Sequence, residues 1–254
     1  MRPPGPGCRG RPGRAPRRGA AIALGAALCA GMAATAPLAA QVVGHPPARS
    51  PYRDITTHQG FTLFAGRFAG NPGAAGLGAR PGLMLGARLE MRLSSAVGLW
   101  ATFAQSWSGR ATIDAGGDTS KISGSIKVRL VLADLALALN LTGDKTWHGL
   151  APYVAVGAGI ATPSAKVVDP GGYELGSNFT LVPTIGTRWY LARSLALRVE
   201  ARDYYYRYTY PLSFFTLPYA GHANGSTLLP LSAPERKWAH NFTLWAGVTY
   251  GFTF

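Results

Sequence analysis

Residues 82–93 read GLMLGARLEMRL. Leu83, Leu85, Ala87, Leu89, Met91 and Leu93 fall on one parity; Gly82, Gly86, Arg88, Glu90 and Arg92 fall on the other. Successive side chains of a strand point to opposite faces, so this stretch is a β-strand with one oily and one polar face. The closing stretch repeats the theme. Phe242, Leu244, Ala246, Val248, Tyr250, Phe252 and Phe254 alternate with Asn241, Thr243, Trp245, Gly247, Thr249, Gly251 and Thr253. In a third run, Leu195, Leu197, Val199 and Ala201 oppose Arg198, Glu200 and Arg202.

Working outward from these, eight alternating runs emerge, at about 57–68, 81–93, 96–107, 123–139, 150–161, 178–191, 195–210 and 238–254. The fourth breaks phase, because Lys127 and Arg129 differ in parity from Asp134; a β-bulge near Leu132–Asp134 is expected to reconcile them. The breaks between runs are long, short, long, medium, long, short and long. A meander with tight turns at one end and long loops at the other has that rhythm. The longest break, 211–237, is rich in Phe and Leu, and could cap the barrel, bind a surface ligand, or supply a hairpin that raises the count to ten strands.

Composition narrows the class. Charged residues make up 14% of the chain, against roughly 25% in soluble domains. After residue 40 no apolar run reaches the ~18 residues of a membrane helix. The charge of +14 is partly local: residues 1–40 hold six Arg and no acid, and the remainder carries +8 without a compact basic stripe, so nucleic-acid binding is not expected. Both cysteines, Cys8 and Cys29, lie in that first segment. Its Arg-rich start, short apolar stretch (19–34) and small-residue end predict a cleaved secretory signal peptide over 1–40, with cleavage after Ala40. A tail (41–54) and a barrel (55–254) follow.

Alternation alone does not say which face is inside. The polar face is built mainly from Gly, Ala, Thr and Ser, which suits a narrow interior; the runs are long enough to cross a bilayer; aromatics gather near run ends. In lipid, only a closed barrel pairs every backbone group between strands. The expected fold is therefore all-β: a transmembrane antiparallel up-and-down barrel, eight strands before ten.

The C-terminal Val248-Thr249-Tyr250-Gly251-Phe252-Thr253-Phe254, with aromatics at alternate positions before a terminal Phe, resembles the assembly signal of small outer-membrane barrels of the OmpA/OmpX/OmpW type. Pro152–Gly159 resembles a strand common in them. The likeness spans about residues 55–254 and is architectural. It implies an outer-membrane location in a Gram-negative bacterium, contact with outer-membrane lipid and lipopolysaccharide, and recognition of Tyr250, Phe252 and Phe254 by the barrel-assembly machinery.

Parity places Arg88, Glu90, Arg92, Arg188, Arg198, Glu200 and Arg202 in the lumen, with Asp134 joining them. Charges in a narrow interior must pair, so a network is expected in which Glu90 and Glu200 are each flanked by arginines. Trp107, Trp189, Tyr205 and Trp238 are candidates for an aromatic girdle, with Tyr204, Tyr206, Tyr208 and Tyr210 nearby. His58, His148 and His222 lack metal-ligand spacing, and no metal or cofactor is expected. The lipid A deacylases carry a His-x-Ser-Asn strand; His240-Asn241-Phe242 lacks its serine, so an enzyme is not expected. The functional expectation is a structural or surface-binding outer-membrane barrel, or one passing small or hydrophobic solutes. A narrow anion-preferring porin and a lipid A-modifying enzyme are the alternatives.

Overall fold

The computed structural model describes residues 50–253, except 74, 117, 118, 221 and 223. The segment expected to be a signal peptide, most of the tail and Phe254 lie outside the described residues. Twelve strands are described: β1 Tyr52–Asp54, β2 Gln59–Ala69, β3 Gly82–Arg92, β4 Val97–Gly116, β5 Thr119–Asn140, β6 Lys145–Trp147, β7 Leu150–Pro163, β8 Asn178–Tyr190, β9 Leu195–Asp203, β10 Tyr205–Thr209, β11 Arg236–Ala239 and β12 Phe242–Phe252. Among the described residues one short helix, α1 (Ser213–Thr216), precedes β11.

Eight of these form the ring. Each of β2, β3, β4, β5, β7, β8, β9 and β12 pairs antiparallel with the next, and β12 closes on β2 from Phe242↔Ala69 to Phe252↔Gln59. No sheet edge is left within the ring. This is the antiparallel, eight-stranded up-and-down barrel that the alternation predicts.

Register gives the barrel its stagger. One row of paired residues runs Arg129, Trp107, Leu83, Arg67, Leu244, Ala201, Ile185, Val154, and returns to β5 at Leu139. It re-enters β5 ten residues further along, so the shear is 10. Shear of this size tilts the strands and leaves an interior that side chains can fill.

The oily parity faces outward. Leu63, Leu85, Leu89, Leu135, Val156 and Ile185 are each 43–63% exposed on the outer wall. Their strand neighbours Thr62, Arg88, Glu90, Asp134 and Thr184 are buried inside. Turns at one end are short (93–96 and 191–194); at the other end 70–81, 164–177 and the long segment after β10 form large loops.

Five expectations need correction. The stretch 108–122 is not a loop: β4 and β5 continue as a hairpin to Gly116 and Thr119, above the ring. The register shift lies at Thr112/Ile113, not at Leu132–Asp134. No bulge is needed there, because polarity inverts along β5: Lys127 and Arg129 face outward above the oily belt, while Val128, Leu130 and Leu132 face an apolar interior. The seventh and eighth runs are interrupted at Tyr204 and His240-Asn241. Asn241 there donates its backbone N–H to Asp203 Oδ1 (2.9 Å) and its side-chain amide to the Tyr204 carbonyl (3.1 Å). The segment 211–237 adds no ring strand, so the ten-strand alternative falls; β10 and β11 only prolong existing strands. Finally, the tail reaches into structure, since β1 pairs with β6 at the short-turn end.

Candidate functional site

The lumen is filled from both ends, by different chemistry. Toward the short turns it holds paired charged side chains. Arg88 (β3) donates both Nη groups to Glu200 (β9) at 2.7 Å each, and its Nε reaches Thr102 Oγ1 at 3.1 Å. Arg202 forks onto Asp134 at 3.0 and 2.8 Å and also meets Glu200 at 2.9 Å. Arg198 pairs with Glu90 at 2.5 Å, and Arg188 lies 3.5 Å from the same carboxylate. Strand parity delivers all seven to the interior; pairing two Arg forks face-on with carboxylates fixes their geometry.

The remaining acceptor capacity is taken by neutral groups. Tyr153 donates to Glu200 Oε2 at 2.6 Å, and Thr62 donates to Glu90 Oε1 at 3.3 Å. Gly186 makes room, because a Cβ there would stand 2.5 Å from the Tyr153 hydroxyl oxygen. Trp100 lies under two guanidinium groups, Arg88 at 4.5 Å and Arg198 at 5.0 Å. Such contacts offset part of the cost of holding arginine away from water. Arg92 stands apart: it is half-buried and donates to the Ile55 carbonyl at 2.8 Å, with no carboxylate as partner among the described residues.

Toward the long loops the lumen is apolar. Phe64 stacks on Trp245 with ring centres 4.3 Å apart. Above them Phe68, Met84, Leu132, Tyr206 and Tyr208 pack against loop residues Leu77, Leu175, Phe214, Phe215 and Leu229. The segment 211–237 thus turns its phenylalanines inward, while Leu212 and Leu231 stay exposed. The loop 164–177 is anchored by a buried fork: Arg110 meets both Asp169 oxygens at 2.7 and 2.8 Å, and the Ile113 backbone N–H donates to Asp169 at 3.1 Å. Tyr173 of this loop is buried beside Arg110, and burial pushes its hydroxyl well above the usual tyrosine range.

Of the aromatic candidates, Trp107, Trp189 and Trp238 are half-exposed on the outer wall; Trp107 and Trp238 lie toward the loops and Trp189 toward the short turns. Tyr205 stacks on Trp238 at 4.8 Å. Tyr204, Tyr206, Tyr208 and Tyr210 are corrected: they share the inward parity and are buried in the upper core. Tyr250 is exposed on the outer wall, and Phe252 is partly covered at its last paired position. His240 sits outside near Tyr205 with Nδ1 2.5 Å from Asp203 Oδ2.

Sequence reasoning missed Arg110 and Asp169, which it placed in loops, and Tyr153 and Trp100. The last two share the inward parity of known strands, and that signal could have found them. Among the described residues no cluster of three or more His, Cys, Asp or Glu could hold a metal.

No family model and no curated protein matches the chain. Solved structures do. OprG from Pseudomonas aeruginosa superposes with a TM-score of 0.49 at 11% identity, covering 81% of this chain and 100% of that one. Neisserial surface protein A gives 0.46 at 11% identity, covering 80% and 98%. AlkL, solved in lipid bilayers, gives 0.41 at 18% identity, covering 83% and 97%. The chain is an eight-stranded antiparallel β-barrel, similar in architecture to small outer-membrane barrels.

Proposed function

We propose that this chain is an outer-membrane barrel with a structural or surface-binding role, its short turns toward the periplasm and its long loops outside. One observation carries the reading: a continuous row of exposed aliphatic side chains rings a barrel whose interior holds the charges. Water would reject that outer wall over an area far beyond ordinary surface patches; acyl chains accept it, and closure satisfies the backbone. Above this belt, outward-facing Arg67, Lys127, Arg129 and Arg207 suit the anionic headgroups of lipopolysaccharide. Export by a cleaved signal peptide and insertion by the barrel-assembly machinery, reading Tyr250, Phe252 and Phe254, belong to the same proposal.

The ionic layer and the loop-filled upper core both support a closed lumen over an open channel. Planar-bilayer recording tests this: silence is expected, and steady openings would overturn it in favour of the narrow anion-preferring pore. Limited passage of small or hydrophobic solutes is a second reading. It is favoured by a groove of about 720 Å³ beside the upper wall, lined by Trp107, Lys127, Val128, Arg129, Val167 and Leu175 among others. The fold neighbours carry no argument for an enzyme, and the reading is non-enzymatic; mass analysis of lipid A from expressing cells would reveal a modifying activity if one existed.

A further inference from the structure

The charges of the lumen divide into two tiers that do not balance alike. The inner tier pairs Arg88 and Arg202 with Glu200 and Asp134 and is neutral. The tier nearest the short-turn mouth holds Arg92, Arg188 and Arg198 against Glu90 alone. Arg198 reaches across to Glu200 only at 3.9 Å, and that carboxylate is already forked by Arg88. Beside this tier lies a small cavity of about 40 Å³, and Glu90 is the one carboxylate among the residues lining it.

Arg188 is 91% buried, lines the cavity, and has a buried Nε with no hydrogen-bond partner. Behind it, Arg198 leaves Nε and Nη1 without hydrogen bonds. Arg92, His58, Asn140 and Thr249 supply further polar groups on the same walls. Buried guanidinium donors without acceptors are costly, and a local excess of two cations needs a counter-charge.

We propose that the periplasmic mouth of the lumen is a binding site for a small oxyanion or halide, held by Arg188 and Arg92 opposite Glu90. The anion offsets the surplus positive charge of the mouth tier, which Glu90 alone does not balance. The site does not depend on whether the barrel conducts, since its lining lies wholly at the short-turn end.

The test is thermal unfolding of the detergent-solubilised full barrel, titrated with chloride or inorganic phosphate at ionic strength held constant by a bulky sulfonate. A saturable rise in Tm specific to the small anion is expected. Arg188→Gln or Arg92→Gln should weaken the apparent affinity roughly tenfold, and Glu90→Gln, which removes the competing carboxylate, should strengthen it by a similar factor. Should Arg188→Gln fail to fold, the opposite responses of Arg92→Gln and Glu90→Gln still decide. A Tm that follows ionic strength alone, or an anion response unchanged in Arg92→Gln and Glu90→Gln, would overturn the proposal.

Discussion

The two halves of the lumen solve the same packing problem with opposite chemistry. The short-turn half is held by arginine–carboxylate forks, and the long-loop half by stacked rings and by loop residues turned inward. The outer wall inverts in step: leucines surround the ionic half, while Lys127 and Arg129 stand outside apolar Val128 and Leu130. A barrel with lipid around its lower part and water around its upper part has this pattern, because each wall faces a different solvent. The ionic half contributes geometric specificity more than raw stability; the cost of breaking it is what makes it rigid.

The largest effect that could break the comparison is at its ionic centre. Glu200→Ala leaves Arg88 without its carboxylate partner in a dry site and strips Arg202 and Tyr153 of one contact each, and should lower unfolding stability by about 3–5 kcal/mol. Denaturant unfolding in detergent checks this, and an unchanged midpoint would show that the forks do not hold the barrel. Glu90→Ala lies nearer the mouth, where water can enter, so about 1.5–3 kcal/mol is expected. Asp169→Asn should act on the other half alone. It weakens the Arg110 fork and should speed protease cleavage within 164–177, with a change in global stability of about 1 kcal/mol or less. Removing 213–232 should leave membrane insertion intact, since no ring strand lies there; loss of assembly would mean that the upper core is needed to close the barrel.

How far the sequence could be read follows from the same inversion. Leu83–Leu93 and Leu195–Arg202 announce their strands because one face is apolar and exposed and the other lines a polar lumen, so parity and polarity coincide. Above the belt they separate. Arg110 and Ile113 differ in parity yet both are buried, because the register shifts at Thr112/Ile113, and the interior there is apolar, so 108–122 does not read as strand. The tyrosines 204, 206, 208 and 210 lie at run ends, as girdle residues would, yet their shared even parity already set them inside. Glu90 and Glu200 were placeable by parity among arginines; which arginine meets which carboxylate depends on a shear of 10, and register is not written in one strand.

The claim beneath all of this is that the odd-numbered residues of lower β5 touch acyl chains. Residues 41–254 contain no cysteine, so a fluorophore attached at Leu137→Cys reports one place. In vesicles carrying bromine along the acyl chains, strong quenching is expected there, together with shielding from an aqueous quencher. Full access to the aqueous quencher with no effect of bromine would contradict the account.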